Sequence, residues 1–290
     1  MTTPHSHGDH RHSAGLLLHL SGPLQSWGER SRFTQRDTAR FPTRSGLIGL
    51  LAAALGRRRG QPVDDLARLS LTVRVDRPGV LLRDYHTVGG GLPAKATVTT
   101  AEGGKRKAEA ATLVSDRYYL ADAAFTAALT SDDTALLHQC AEALRSPTWP
   151  LYLGRRSCPP TPPLLIGDRP VAQPLTHLVH LPLAAPPPRD PKDATEPIAF
   201  YSDQPLHTLA PHSHPAPASA HGGRIPTGEI TDDPVDLAPH RRAYRARPLY
   251  QRTLALPAHQ HAGYGADYLQ ALAAYLHQHV ADFDQEAVTP

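Results

Sequence analysis

The pattern of apolar and polar positions divides the first part of the chain into short elements. Residues 16–20 form an apolar run interrupted only by His19, and the run ends at Ser21-Gly22-Pro23, which predicts a first strand and a turn. Residues 45–56, SGLIGLLAAALG, are apolar around most of a helical circumference and predict a helix buried on more than one side. Residues 69–75, LSLTVRV, alternate between apolar and polar side chains and predict a half-buried strand.

A long excursion and a second helix follow. Residues 80–88 and 112–120 predict two strands, and the Gly-rich, basic segment 89–111 between them suits a hairpin tip. The apolar run 124–130 predicts a core strand. An amphipathic helix is expected to begin with Ser131 as its cap and Asp132 and Asp133 in its first turn, and to stop at Pro147. The segment 149–154, WPLYLG, predicts a short strand.

This order of elements indicates a fold class. Strand, helix, strand, excursion, strand, helix and strand is the α+β order of a ferredoxin-like βαββαβ domain, which RNA-recognition modules share. We expect this domain at 15–165, after a disordered His-rich tail at 1–14.

Proline changes the picture beyond residue 150. Of the 30 prolines, 23 lie between Pro147 and Pro257, and this density excludes a helical domain there. Residues 166–290 therefore predict a smaller Pro-rich region containing β-strands, including a basic strand pair at 240–256 and irregular segments at 184–197 and 205–228. A terminal amphipathic helix is expected at about 266–283, with one apolar face formed by Leu269, Leu272, Ala273, Leu276 and Val280.

Charge is distributed unevenly along the chain. The net charge is only +3, but residues 30–59 contain eight arginines and a single acidic residue, Asp37. Arginine binds phosphate in a bidentate manner and stacks on bases, so the cluster favours a polyanionic partner. A GC-rich genome would explain why 26 of the 30 basic residues are arginine, but it would not explain the clustering.

Several classes of protein are excluded or disfavoured. No apolar run approaches the roughly 18–20 residues that span a bilayer, and the N-terminus lacks the apolar core of a secretory signal. Two cysteines exclude a disulfide scaffold and a four-cysteine zinc site. No glycine-rich nucleotide-binding motif is present. We expect a cytoplasmic protein without a cofactor or a metal, and we interpret the HSHGDHRH tract as a tail, not a metal centre.

Two short segments offer candidate chemistry. In 83–87, RDYHT, His86 could serve as a general acid or base in metal-free RNA cleavage, or Tyr85 could stack on a base while Arg83 holds phosphate. Strand alternation would place Tyr85 and His86 on opposite faces, which weighs against catalysis. The segment Gly154-Arg155-Arg156 is either a phosphate clamp or a structural turn. Cys158 lies beside these arginines without a candidate base, so a catalytic thiol is not expected.

Three blocks together carry a resemblance to a known family. LQSWGERSRFTQRDTARFPTRSGLIGLLAAALG, LLRDYHTVGG and LYLGRRSCPPTPPLLIG occur in this order, and the resulting resemblance covers roughly residues 15–170. The sequence resembles the CasD family of subunits of the type I-E CRISPR Cascade complex. The resemblance implies a ferredoxin-like RAMP domain with a protruding thumb, here at about 83–118, and a smaller β-rich C-terminal part.

The resemblance also implies a function. A member of this family is a non-catalytic RNA-binding subunit of an antiviral surveillance complex, which binds the 5′ handle of the CRISPR RNA and caps one end of the complex. It contacts the backbone subunit and the large PAM-reading subunit, and no membrane or small-molecule substrate is expected. The matching blocks give a set of candidate RNA-binding residues: Trp27, Arg30, Arg32, Arg40, Arg44, Ser45, Arg83, Tyr85, His86, Arg117, Tyr118, Arg155 and Arg156. Trp27 suits a packing role equally well.

Two alternatives stay open. The first is a metal-independent endoribonuclease that cleaves CRISPR repeat RNA, as in the type I-C relative of this family. That relative uses a Tyr-Lys-His set in which the lysine directly precedes the histidine, whereas here His86 follows Tyr85 and Lys95 lies nine residues later. This departure argues against cleavage. The second alternative is a DNA- or RNA-binding protein unrelated to CRISPR.

Overall fold

The chain is built around a seven-stranded sheet that is covered by helices on both faces. The computed structural model describes residues 14–29, 34–89, 91, 93–97, 99–100, 103–105, 112–188, 195–210, 223–238 and 241–284. The strands are β1 (Ala14–Ser21), β2 (Leu24–Gln25), β3 (Gln35–Arg36), β4 (Ser70–Arg77), β5 (Val80–Val88), β6 (Leu113–Ala121), β7 (Ala124–Ser131), β8 (Leu165–Ala172), β9 (Thr195–Ser202), β10 (Gly228–Asp236) and β11 (Ala243–Pro257). The helices are α1 (Arg44–Ala54), α2 (Thr134–Arg145), α3 (Pro174–His180), α4 (Gly265–Gln278) and α5 (Val280–Asp284).

The large sheet has the strand order β10-β11-β9-β4-β7-β1-β8. Its neighbouring strands run antiparallel, and β1 and β7 keep one register from Ala14↔Ser131 to Ser21↔Ala124. Both strands are buried on both faces, which explains why their sequences are almost continuously apolar. When the strands of the second sheet are left out, the chain order is β1, α1, β4, β7, α2 and β8, and these four strands lie side by side in the order β4-β7-β1-β8.

Strand alternation separates two cores. Leu16, Leu18 and Leu20 of β1 pack with α1 and α2 on one face of the sheet. Leu17 faces the opposite side, where α3, α4 and α5 cover the sheet. Among the described residues no helix is long and apolar enough to cross a membrane.

A buried arginine ties α3 to the sheet. Arg74 on β4 is fully buried and pairs with Asp76, whose carboxylate lies 2.6 Å from the arginine Nε. The same guanidinium donates to the carbonyls of Leu178, Leu181 and Pro182 at 2.7–2.8 Å. These carbonyls lie at and just after the C-terminal end of α3, where a cation is favoured.

The second sheet is smaller and contains the excursion. β5 and β6 pair antiparallel from Val80↔Ala121 to Val88↔Leu113. On its other side β6 pairs antiparallel with β2 and then parallel with β3. The residues before α1 therefore lie beside the hairpin.

The predicted strand at 149–154 is wrong. That segment forms a loop in which Leu153 accepts from Ser26 N and donates to Cys158 O. The fourth strand beside β1 is instead β8, which the apolar pattern did not reveal. β8 contains Gly167 and Pro170 and pairs with β1 in two short stretches, with a register shift between Gly15 and Leu17. Such a strand has no clean alternation to detect.

Other expectations needed smaller corrections. Asp133, not Ser131, caps α2, because its side chain accepts from Leu136 N at 2.9 Å while Ser131 ends β7. The predicted strand pair at 240–256 is one strand, β11, which pairs with β10 up to Leu249 and with β9 from Tyr250 onward. The terminal helix is divided at His279 into α4 and α5.

The buried face of the terminal helix also differs from the prediction. Tyr268 and Leu272 are buried, whereas Leu269 and Val280 are each 42% exposed. The predicted apolar face contains only aliphatic residues, whereas the ring of Tyr268 forms part of the buried face of α4. The predicted tail at 1–14 lies, apart from Ala14, outside the described residues.

Candidate nucleic-acid interface

The β5–β6 hairpin presents different chemistry on its two faces. Register places Arg83 opposite Tyr118 and Tyr85 opposite Asp116, so these side chains share one face. His86 and Asp84 lie on the other face, opposite Ser115 and Arg117 respectively. The expectation that Tyr85 and His86 point to opposite faces is thus confirmed.

The first face contains an exposed aromatic ring beside an arginine. Tyr85 is 68% exposed. Arg83 donates from Nε to Asp116 at 2.9 Å, and this carboxylate raises the pKa of the guanidinium. An exposed tyrosine beside a fixed cation is suited to stacking on a base and holding its phosphate.

The second face brings two arginines together. β3 and β6 are parallel with Arg36 directly beside Arg117, so both side chains project to one face. Arg117 donates from Nε to the neutral hydroxyl of Ser115 at 3.3 Å. The carboxylate of Asp84, opposite Arg117, lies 3.1 Å from Nδ1 of His86. Neighbouring like charges repel unless an anion lies between them, so this pair is suited to phosphate. Arg36 was not among the predicted residues, although it lies in the Arg-rich segment.

Arg155 connects the elements of this surface. Its guanidinium donates to the carbonyls of Tyr118, Arg36 and Asp37 at 3.0, 2.8 and 3.2 Å, and it lies 4.7 Å from the centre of the Tyr119 ring. These contacts fix β3 and the following residue against β6. Arg156 is exposed on the same loop.

Gly154 makes the loop possible. Its φ is +90°, and a Cβ at this position would lie 1.7 Å from the carbonyl oxygen of Ser26. No other residue type fits such an approach. The glycine therefore belongs to a structural turn, and this turn presents the two arginines.

Trp27 lies in the core. It is fully buried, its Nε1 donates to Gln25 Oε1 at 3.0 Å, and its ring packs against Gly46 of α1. The packing role considered for this residue agrees with this placement. Tyr118 is partly buried on β6.

Aspartate side chains of the same chain bind Arg44, the first residue of α1. Asp232 on β10 accepts from Arg44 N at 2.7 Å, so this N–H at the start of the helix is already bound by a carboxylate of the chain itself. The Arg44 side chain is 8% exposed and pairs with Asp203 and Asp233. Ser45 is partly buried, whereas Arg40 is exposed just before the helix. Arg30 and Arg32 lie outside the described residues.

The remaining candidates for chemistry are the two cysteines and groups of metal-ligating side chains. Burial raises the pKa of Cys158 above its usual value, and it raises the pKa of Cys140 to about 11, so both thiols are protonated at neutral pH. In the described part of the chain no group of three or more His, Cys, Asp or Glu side chains is arranged to hold a metal ion.

Known proteins resemble this chain in sequence and in structure. The profile of the family described as CRISPR-associated protein (Cas_Cas5) matches residues 15–226. The CRISPR system Cascade subunit CasD of Escherichia coli (strain K12) is 38% identical over 187 residues, which are 57% of this chain and 75% of that protein.

Two solved structures agree with the sequence match. A chain of a CRISPR RNA-guided surveillance complex aligns with a TM-score of 0.75 and 41% identity, covering 91% of this chain and 100% of that one. A crystal structure of a Cas protein aligns with a TM-score of 0.55 and 34% identity, covering 87% and 98%. Because the family profile covers most of the chain and the matched relatives are 34–41% identical to it, the chain belongs to the CRISPR-associated Cas5 family.

Proposed function

We propose that this chain is the CasD-type subunit of a type I-E Cascade complex, where it binds the 5′ handle of the CRISPR RNA without cleaving it. The adjacent Arg36 and Arg117 on the hairpin face are the observation that carries this proposal. Single-stranded RNA with a defined sequence is recognised by stacked bases while arginines hold its backbone. Tyr85, exposed on the opposite face of the hairpin, supplies a stacking surface.

We further infer a ferredoxin-like RAMP domain with a thumb. The strand order β4-β7-β1-β8, with α1 and α2 in the connections, supports this arrangement. The β5–β6 hairpin, which forms its own sheet with β2 and β3, would be the thumb. Because β8 ends at Ala172, the proposed domain would extend to residue 172 and not stop at 165. The region after it would be the smaller C-terminal part, although β9 to β11 continue the same large sheet.

The proposed partners follow from the family. In the complex the chain would cap one end and contact the backbone subunit and the large PAM-reading subunit. The exposed apolar side chains of Val80, Leu81 and Leu82, at 71%, 41% and 43%, lie at the base of the hairpin and are suited to such a protein contact.

The binding experiment uses the full chain and labelled repeat RNA in EDTA at several salt concentrations. The double variant Arg36→Ala/Arg117→Ala should bind the handle at least about tenfold more weakly, with a salt slope lower by about two, because two phosphate contacts are lost. Arg145→Ala is the matched control, since this arginine is 51% exposed on α2 and pairs with Glu142. The proposed surface would be contradicted if the control lost as much RNA affinity as the double variant, or if the double variant kept the salt dependence of the parent chain.

Cleavage is the competing function. The contact between His86 and Asp84 is the observation that favours it, because a carboxylate can orient a general base. Against it, Tyr85 projects from the opposite face of the strand. The same assay decides: a discrete cut within the repeat that is abolished by His86→Ala would establish an endoribonuclease. Intact, salt-sensitively bound RNA supports the binding subunit.

A further inference from the structure

Two tyrosines of α4 each rest on a histidine of a different element. The Tyr268 ring stacks on His19 of β1 with centroids 4.6 Å apart, and its hydroxyl lies 3.3 Å from His19 Nδ1. Two helical turns later, the Tyr275 hydroxyl lies 2.9 Å from Nδ1 of His177 on α3. The buried side of α4 is therefore attached to the rest of the fold at two imidazoles.

A cavity lies beneath the second attachment. It has a volume of about 230 Å³, and its lining includes His177, His180, Tyr275, His279 and Asp282. His177 is 5% exposed, and its Nε2 lies 3.7 Å from the carboxylate of Asp282 on α5. The rings of His177 and His279 are 5.7 Å apart between centroids. Three imidazoles thus face a single carboxylate at the junction of α3, α4 and α5.

The surroundings of His177 oppose a positive charge. Burial lowers its pKa, the neighbouring His279 and His180 lower it further, and Asp282 acts in the opposite direction. Asp282 is 43% exposed, so its carboxylate is only a partial counter-charge for a cluster of three imidazoles.

His19 is in a similar position under the first attachment. Burial lowers its pKa to about 4; the arginines Arg74 and Arg77 contribute to the lowering, and Asp76 opposes it. Asp76 is already bound by Arg74 and by the Thr126 hydroxyl. Both imidazoles under α4 are therefore neutral at pH 7 while the helix is docked.

We propose that α4 and α5 form a proton-released latch, which docks through neutral His19 of β1 and His177 of α3 and detaches when these histidines take up protons. The sign follows from linkage. A histidine whose pKa is lowered in the docked state binds more protons in the detached state, so docking is complete at neutral pH and weakens as the pH falls below the ordinary histidine range.

Detachment would be local because the latch is lightly anchored. Of the residues of α4 only Tyr268 and Leu272 are buried, and among the side chains described in α5 only Phe283 is buried. The central strands β1 and β7 are buried along their length and paired with each other. Terminal elements with few buried side chains open before the core of a protein does.

Release would uncover an apolar surface on the sheet. Leu17, Phe200, Leu254 and Leu256 belong to the core that these helices help to cover. A surface of this kind binds hydrophobic dyes and promotes association.

Hydrogen exchange of the full-length chain between pH 7.5 and 5.0, in EDTA and corrected for intrinsic rates, tests the latch. We expect the opening equilibrium of peptides from 265–284 to rise once the pH falls below the ordinary histidine pKa, by up to about tenfold per pH unit for each histidine that gains a proton. Peptides from β1 and β7 should stay protected over the same range. The proposal would be overturned if residues 265–284, β1 and β7 lost protection from exchange together, or if the protection of α4 did not change with pH.

Variants assign the effect to these histidines. The double variant His19→Gln/His177→Gln keeps hydrogen-bonding side chains that do not titrate, and it should abolish the pH dependence. His138→Gln is the matched control, since His138 is exposed on α2. Asp282→Asn changes a half-exposed side chain and removes the counter-charge of protonated His177. This variant should therefore release α4 and α5 at a higher pH than the parent chain does. The proposal is wrong if the double variant retains the pH dependence, or if Asp282→Asn leaves the midpoint of release unchanged.

Discussion

Arg74 in the large sheet and Arg36 in the small sheet have opposite environments. In the large sheet, Arg74 is fully buried and its donors are directed to Asp76 and to three carbonyls. In the small sheet, Arg36 is exposed beside Arg117 and has no aspartate as its register partner. The first arrangement holds the fold together, and the second leaves cationic groups for an external anion. The burial of an arginine and the partners of its guanidinium therefore decide whether it stabilises the fold or stays available to an external anion.

The largest expected effect tests the buried side of this comparison. Arg74→Met should destabilise the chain by about 3–5 kcal/mol, because Asp76 keeps a buried charge without its partner. Chemical denaturation monitored by circular dichroism measures this loss. The double variant Arg74→Met/Asp76→Asn should lose less than the sum of the two single variants. Additive losses would show that the pair does not act as a unit.

Arg155 and Arg156 are adjacent in sequence and sharpen the comparison. Arg155→Ala should cost about 1–2 kcal/mol of stability, because three carbonyls lose a charged donor. Arg156→Ala should change stability by less than about 0.5 kcal/mol while weakening RNA binding. Thermal unfolding and a salt-titrated binding assay separate the two roles. A large loss of stability in Arg156→Ala would show that Arg156, like Arg155, has a structural role.

Arg57 represents the intermediate case. It forms a bidentate pair with Asp65, with side chains 21% and 33% exposed, so Arg57→Ala should cost only about 0.5–1 kcal/mol. Arg57 also lowers the pKa of Asp65. The contribution of the pair is therefore present at neutral pH and declines as the pH falls through the lowered pKa of Asp65. The difference in unfolding free energy between variant and parent should shrink between pH 7 and pH 3; a constant difference would argue against the ion pair.

Much of the fold is encoded locally. The strand β5 was predicted at its observed bounds, and α1 and β7 within two residues, because apolar periodicity is a property of consecutive residues. β8 was missed because Gly167, Pro170 and a register shift interrupt its pattern. The segment 149–154 looked like a strand because it is apolar, yet its backbone bonds go to Ser26 and Cys158.

The candidate site was predictable only as a set of segments. The Arg-rich segment, the hairpin and the Gly-Arg-Arg turn meet around β6, as Arg155 demonstrates by bonding to residues of two of them. The sequence does not indicate which arginines of these segments face outward. Arg36 pairs in register with Arg117, and Arg44 turns inward, although both lie in the same segment.

Patterns of consecutive residues specify most of the helices and strands, the basic character of residues 30–59 and the resemblance to a CRISPR-associated family. The hydrogen-bond and ion-pair partners of the side chains depend instead on the tertiary structure. The Arg44 guanidinium pairs with Asp233 across 189 residues of chain, and the Tyr268 hydroxyl lies beside His19 across 249. Periodicity depends on neighbours in the chain, whereas the neutralisation of a charge depends on whatever folding brings within a few ångströms of it.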